Sequence, residues 1–140
     1  MTNIDYADEQ IIHDVLKNSR TIAVVGISDK PDRPSYHVAA YLISAGYEII
    51  PVNPGLDKVM DIKAYPDLAS IPEKVDVVDV FRRGETVGPI VEEAIKIGAT
   101  AIWFQEGVIN EDACAVASRA GLKVVMDRCM LKEHSKMKHR

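Results

Sequence analysis

The chain has 140 residues, of which 47% are hydrophobic and 27% charged, and a formal net charge of −4. A chain of this length buries roughly two-thirds of its unfolded surface, so it needs no metal or disulfide staple, and it leaves no room for a second domain of ordinary size. The acidic balance argues against a general nucleic-acid binder, and no apolar run approaches the roughly 20 residues that span a bilayer.

The opening residues, MTNIDYADEQ, are polar and lack the apolar centre of a signal peptide. Cys114 and Cys129 are expected to be reduced thiols of a cytoplasmic protein. One domain over residues 1–140 is expected.

Strand and helix patterns alternate along the chain. The spacing of Ile11, Ile12, Val15 and Leu16 predicts a helix from Ala7 to Lys17, with Asp5 as its cap. TIAVVG follows as a fully apolar, central parallel strand ending at Gly26. A polar loop, SDKPDRP, leads to a helix over Ser35–Ala45, closed by Gly46. YEIIPV is the next strand. Residues Asn53 to Lys74 are irregular and proline-rich, with one short strand expected near Val59–Ile62.

Val75–Phe81 reads as a buried strand and Val87–Ile97 as a helix, with Thr86 as its cap and Pro89 in its first turn. TAIWF is a strand, Asn110 caps a helix that Gly121 ends, and LKVVM is the last strand. The tail beyond it, residues 130–140 in particular, is basic and expected to be a solvated end. The fold class is α/β: a Rossmann-like, three-layer fold with a mostly parallel sheet of five or six strands and helices on both faces.

Ligands of such sheets bind outside the C-terminal strand ends. The loops there read GISDKPDRPSY, PVNPG, FRRGE, FQEGVIN and MDRC. Gly26 permits a tight turn, and the helix that begins near Ser35 offers its N-terminus to an anion. Lys30 and Arg33 add donors, but Asp29 and Asp32 offset their charge within the loop, so net attraction must come from geometry or from Arg82 and Arg83. Ser28 and Pro31 stand where a dinucleotide fingerprint needs glycines, and no Gly-Lys-Ser/Thr follows to make a P-loop. The second strand ends in Pro51-Val52-Asn53-Pro54, with no acid to hold a ribose diol. That rigid, neutral turn suits packing on an adenine or a pantetheine arm.

The stretches VVGISDKPDRPSYHVAAYL, GYEIIPVNP, VDVVDVFRR, AIWFQEGV and VVMDRC, in this order, resemble the small stand-alone proteins of the CoA-binding-domain family. These share their fold with the N-terminal CoA-binding domain of the succinyl-CoA synthetase α subunit. The resemblance runs from about Ser19 to Glu133. It implies a coenzyme A site in which Gly26, Ile27 and Ser28 line the turn, and Lys30, Arg33, Ser35 and Tyr36 face phosphates. Pro51, Val52, Asn53 and Pro54 would sit by the adenosine, Phe81 and Arg82 on one side, and Trp103, Gln105 and Gly107 on the other. Family members often carry a glycine where this chain has Asp61.

Physical chemistry agrees. Coenzyme A carries a diphosphate and a 3′-phosphate, for which Arg82 offers a two-donor grip, and Gln105 suits a pantetheine amide.

The expected function is non-catalytic binding of coenzyme A or an acyl-CoA, for sensing or for presentation to a partner, with no nucleic acid, membrane or metal involved. His13, His37, His134 and His139 form no catalytic or metal-binding pattern. In the ligase relatives the phosphorylated histidine belongs to a second domain. Two alternatives stand beside this reading: an NAD(P)-dependent oxidoreductase, and an interaction module that kept the fold and lost its ligand. Cys129 follows the last strand beside Arg128, which is expected to lower its thiol pKa. A mixed disulfide with coenzyme A is then one expectation, and a small packed hydrophobe the other. Cys114 is expected in the core.

Overall fold

The computed structural model describes residues 5–138. Five parallel strands form the main sheet: β1 (Thr21–Val25), β2 (Glu48–Val52), β5 (Val77–Val80), β6 (Ala101–Phe104) and β7 (Lys123–Val125), in the order β2-β1-β5-β6-β7. Helices α1 (Glu9–Asn18), α2 (Pro34–Ser44) and α5 (Met130–Lys138) cover one face, while α3 (Gly88–Lys96) and α4 (Glu111–Arg119) cover the other. The Rossmann-like α/β class holds.

Every strand is apolar because it is covered twice. Successive residues alternate between the layers: Ile22 and Val24 join the α1/α2/α5 side, and Ala23 and Val25 join the α3/α4 side.

The N-terminal helix starts later than expected. Asp8 caps it, accepting from the Gln10 and Ile11 N–H groups, whereas Asp5 accepts from Ala7 outside the helix. Thr86 is likewise no cap. It lies in a 3-10 turn, Gly84–Thr86, and donates its hydroxyl to the Arg83 carbonyl. Asn110 does cap α4, accepting from Ala113 N–H at 2.9 Å.

The largest departure is at the C-terminus. Residues expected to be a solvated tail form α5, which docks beside α2. The Tyr41 hydroxyl meets His134 Nδ1 at 2.8 Å, and the rings of Tyr41 and Tyr47 both contact the His134 ring edge-on. Met130 is fully buried. Charge alone misled here, because Met130, Leu131 and Met137 supply an apolar stripe among the lysines. His139 and Arg140, part of the same expected tail, lie outside the described residues.

The irregular segment after β2 holds a separate hairpin, β3 (Lys58–Val59) and β4 (Ile62–Lys63). Its two-residue turn is Met60-Asp61, with φ of 52° and 60°. Both are left-handed, the geometry that favours glycine in such turns. Beyond it, Tyr65 pairs along the outer edge of β2: its N–H donates to the Pro51 carbonyl, and its carbonyl accepts from Asn53 N–H, each at 2.9 Å.

The Met60-Asp61 turn generates a stability test. Asp61→Gly should leave stability unchanged or raise it by up to about 1 kcal/mol, while Asp61→Val should lower it by about 1–2 kcal/mol, as read by urea unfolding. The exposed Lys58–Asp61 ion pair, 3.6 Å apart, contributes little to either result.

Candidate functional site

The chain leaves β1 toward α2 on one face and leaves β5 toward α3 on the other, so the sheet opens between these neighbouring strands at their C-terminal ends. Gly26 sits in this opening at φ 86°. A Cβ there would lie 2.4 Å from the Phe81 carbonyl oxygen and 3.1 Å from Arg82 Nε. The two strand ends therefore approach as closely as the backbone permits, and the Arg82 side chain passes beside the glycine turn.

Hydrogen bonds fix the loop beyond Gly26. Ser35 is buried, and its hydroxyl accepts from Ser28 N–H at 2.9 Å instead of capping α2. Ser28 in turn accepts from Lys30 N–H. No side chain caps α2, which begins at Pro34. The positive end of this helix dipole is thus uncovered beside the turn. Lys30, Arg33 and Arg82 are exposed, and among the described residues none of them forms an ion pair. Arg83 is held near Glu85 at 3.5 Å.

A cavity of about 480 Å³ opens here, within the range of small-molecule sites. Val38, Phe81 and Val108 give it apolar walls, and Arg82, Arg83 and Gln105 give it donors. Cys129 also lines it. The loops behind these walls are stitched together. Gly107 N–H donates to Asp127, Asn110 donates to the Gly84 carbonyl, and the Trp103 indole N–H donates to the Arg128 carbonyl, each at 2.8 Å. Gly84 has no freedom to change, since a Cβ would stand 2.2 Å from the Ile109 oxygen.

Phe81, Arg82, Gln105 and Gly107 therefore converge on one cavity. Gly26, Ser28, Lys30, Arg33, Ser35 and the half-buried Tyr36 form the adjoining loop and helix start. Other residues named from sequence support the site from behind. Ile27, Val52 and Trp103 bury their side chains in the core. Pro51 is buried in β2. Asn53 bridges the first two loops, its Nδ2 donating to the Ile27 carbonyl and its Oδ1 accepting from Gly55 N–H, both at 2.8 Å. Pro54 is exposed at the rim of that turn.

Cys129 lies at the cavity wall. Burial pushes its thiol up, opposed by the N–H groups of Lys132 and Leu131. Arg128 does not lower it, contrary to expectation, and its guanidinium donates instead to the Asp127 carbonyl. Cys114 is fully buried, as expected.

Asp79 is a residue that sequence reading missed. It lies in β5 between Val24 and Trp103 in register, fully buried. Gln105 Nε2 donates to its Oδ1 at 2.9 Å. Its Oδ2 has no partner among the described residues. Burial pushes the carboxyl up to about 7, with the Gln105 bond opposing the shift. The signal was an acid inside an otherwise apolar strand, V-V-D-V. The arrangement fits a nucleotide carrying phosphates and an uncharged arm: cations and an uncapped helix at the mouth, apolar walls and one amide within.

The raised carboxyl couples folding to pH. Between about 4 and about 7 the folded chain holds a proton that the unfolded chain has released, so stability falls as pH rises through that window and stays low above it. Asp79→Asn should remove this slope and stabilise the protein at pH 8 by up to roughly 4 kcal/mol, measured by urea unfolding at pH 5 and pH 8.

A family model for the CoA binding domain matches residues 20–135, which include all the loops described above. The chain is 42% identical over 124 residues to the uncharacterized protein YneT of Bacillus subtilis (strain 168), covering 89% of this chain and 92% of that one. A hypothetical protein from Pyrococcus horikoshii OT3 has a similar structure, with a TM-score of 0.92 at 39% identity over 99% of this chain and 97% of that chain. Similarity extends to the ADP-forming acetate–CoA ligase II of Archaeoglobus fulgidus, at 30% identity over 81 residues, which are 56% of this chain and 12% of the ligase. A glycine turn facing an arginine across the sheet opening, within a match this long, leads to one conclusion: the chain belongs to the CoA binding domain family.

Proposed function

We propose that this protein binds coenzyme A, or an acyl-CoA, at the C-terminal strand ends without transforming it, and that it serves to sense the ligand or present it to a partner. The observation that carries this reading is Arg82, which forms no ion pair among the described residues, beside the Gly26 turn at the mouth of an apolar cavity. Arg82, the uncapped start of α2 and the exposed Lys30 and Arg33 suit the phosphates. Val38, Phe81 and Val108 suit the uncharged arm, with Gln105 as its polar contact. The turn after β2 supports a coenzyme A over a dinucleotide, since it offers no acid to a ribose and the Asn53 side chain is already engaged.

Calorimetric titration with CoA, acetyl-CoA, NAD and NADP tests the proposal. CoA or acetyl-CoA should bind, and Arg82→Ala should weaken that binding by roughly ten- to a hundredfold, the worth of a charge-assisted bond to phosphate. Preference for NADP would overturn the reading in favour of an oxidoreductase, and silence toward all four in favour of an interaction module.

The buried Cys129 gives a second test. Its alkylation by iodoacetamide, followed by intact mass, should be slower at pH 7 than that of an exposed cysteine and should accelerate with pH. Saturating CoA should slow it further, because the thiol lines the same cavity. An alkylation rate indifferent to CoA would separate Cys129 from the ligand.

A further inference from the structure

Gln105 is the polar side chain deep in the cavity wall, and it is 4% exposed. A glutamine amide can stand in either of two orientations, one presenting oxygen and the other nitrogen to a given side. Here the choice is made from behind. Asp79 Oδ1 takes the Nε2 N–H at 2.9 Å. An ionised carboxylate only accepts, so it tolerates nitrogen on its side of the amide and rejects oxygen. The Asp79 side chain is fully buried, and its second oxygen has no donor among the described residues. That is a costly arrangement for a purely structural residue.

We propose that Asp79 is a positioning residue: it holds the Gln105 amide in one orientation, with Oε1 left as the acceptor toward the cavity, so that this part of the site selects a ligand group that donates a hydrogen bond. Resting on the coenzyme A reading, the group selected is an amide N–H of the pantetheine arm. An ester or ether oxygen at the same place would meet oxygen and be rejected.

The lock depends on Asp79 being ionised. Once protonated, its own O–H is able to donate to Gln105 Oε1, and both amide orientations become acceptable. The surroundings leave few other titrating groups to confuse this. On its face of the sheet Asp79 is flanked in register by Val24 and Trp103. The same apolar cluster includes Val38, Ala39 and Leu42 from α2, and Met130 from α5. Among the described residues, the Cys129 thiol, itself pushed up by burial, interacts with it, and the Tyr36 and Tyr41 phenols of α2 pack against the same cluster. Glu106 acts on Cys129 in turn but is paired with Lys132 at 3.0 Å. Because burial raises the Asp79 carboxyl to about 7, selection should strengthen as pH rises through neutrality.

Two measurements decide the proposal. In the free protein, the side-chain amide ¹⁵N–¹H signals of Gln105 should titrate near pH 7 in the wild type and stay flat in Asp79→Asn. Signals that do not titrate in the wild type overturn the lock, whatever binds. Calorimetry between pH 6 and 8.5 then compares CoA with adenosine 3′,5′-bisphosphate, which has no pantetheine arm. Wild-type affinity for CoA should rise about five- to tenfold over that range, with no matching rise for the bisphosphate. Asp79→Asn should bind CoA more weakly by a similar factor, lose the pH dependence and bind the bisphosphate as the wild type does. Equal losses for both ligands, or an unchanged CoA profile in Asp79→Asn, would reduce Asp79 to a structural residue and overturn the proposal. A wild type that ignores CoA altogether would instead remove the coenzyme A reading, and the Gln105 signals would still decide the lock.

Discussion

The close approach of Gly26 to the Phe81 carbonyl sets the geometry of the sheet opening. There is no space for a side chain on the first strand's exit, because the end of β5 occupies it. This close approach brings Arg82 beside the turn and allows α2 to start at the edge of the cavity. A larger residue at position 26 would meet both a positive φ and a backbone oxygen, so relief at one would leave the other. The Asn53 bridge to the Ile27 carbonyl and the Ser35 bond to Ser28 N–H then hold the loop that this contact bends.

A second set of constraints comes from the far side of the sheet opening. The last loop is tied to the FQEG loop through Asp127 and Gly107 and through the Trp103 indole. Those bonds bring Cys129 to the cavity wall, and α5 continues from it. The C-terminal helix therefore belongs to the scaffold behind the cavity, although it contributes no cation to the cavity lining. Its docking through Tyr41, Tyr47 and His134 is the mechanical support of that wall.

Much of this was legible in the sequence, for identifiable reasons. The β-branched runs that end in Gly26 and Phe81 could only be doubly covered strands, and their ends locate the site. Arg82 and Gln105 were legible because polar residues immediately after such runs must face the crevice. What escaped depends on partners far apart in sequence. Trp103 was expected at the site, but its indole is anchored to Arg128 in the core, and nothing in AIWF reveals which face of the strand carries it. Asn53 reads as a neutral turn residue, whereas its amide is a brace between loops. Met130, Leu131 and Met137 were hidden among charges. Asp79 was visible as an anomaly, and only its bond to a residue 26 positions away explains it.

The pairing of Tyr65 along β2 has a consequence beyond the site. An open parallel sheet has two borders where another chain could add itself through backbone hydrogen bonds. On the β2 side, Pro51 supplies no N–H, and the Tyr65 segment already occupies the neighbouring positions. On the other side β7 is only three residues long and opens with the charged Lys123. Neither border presents a long, unpaired template. The apolar strands of the sheet are thereby kept from growing into intermolecular sheet by the outline of the fold itself.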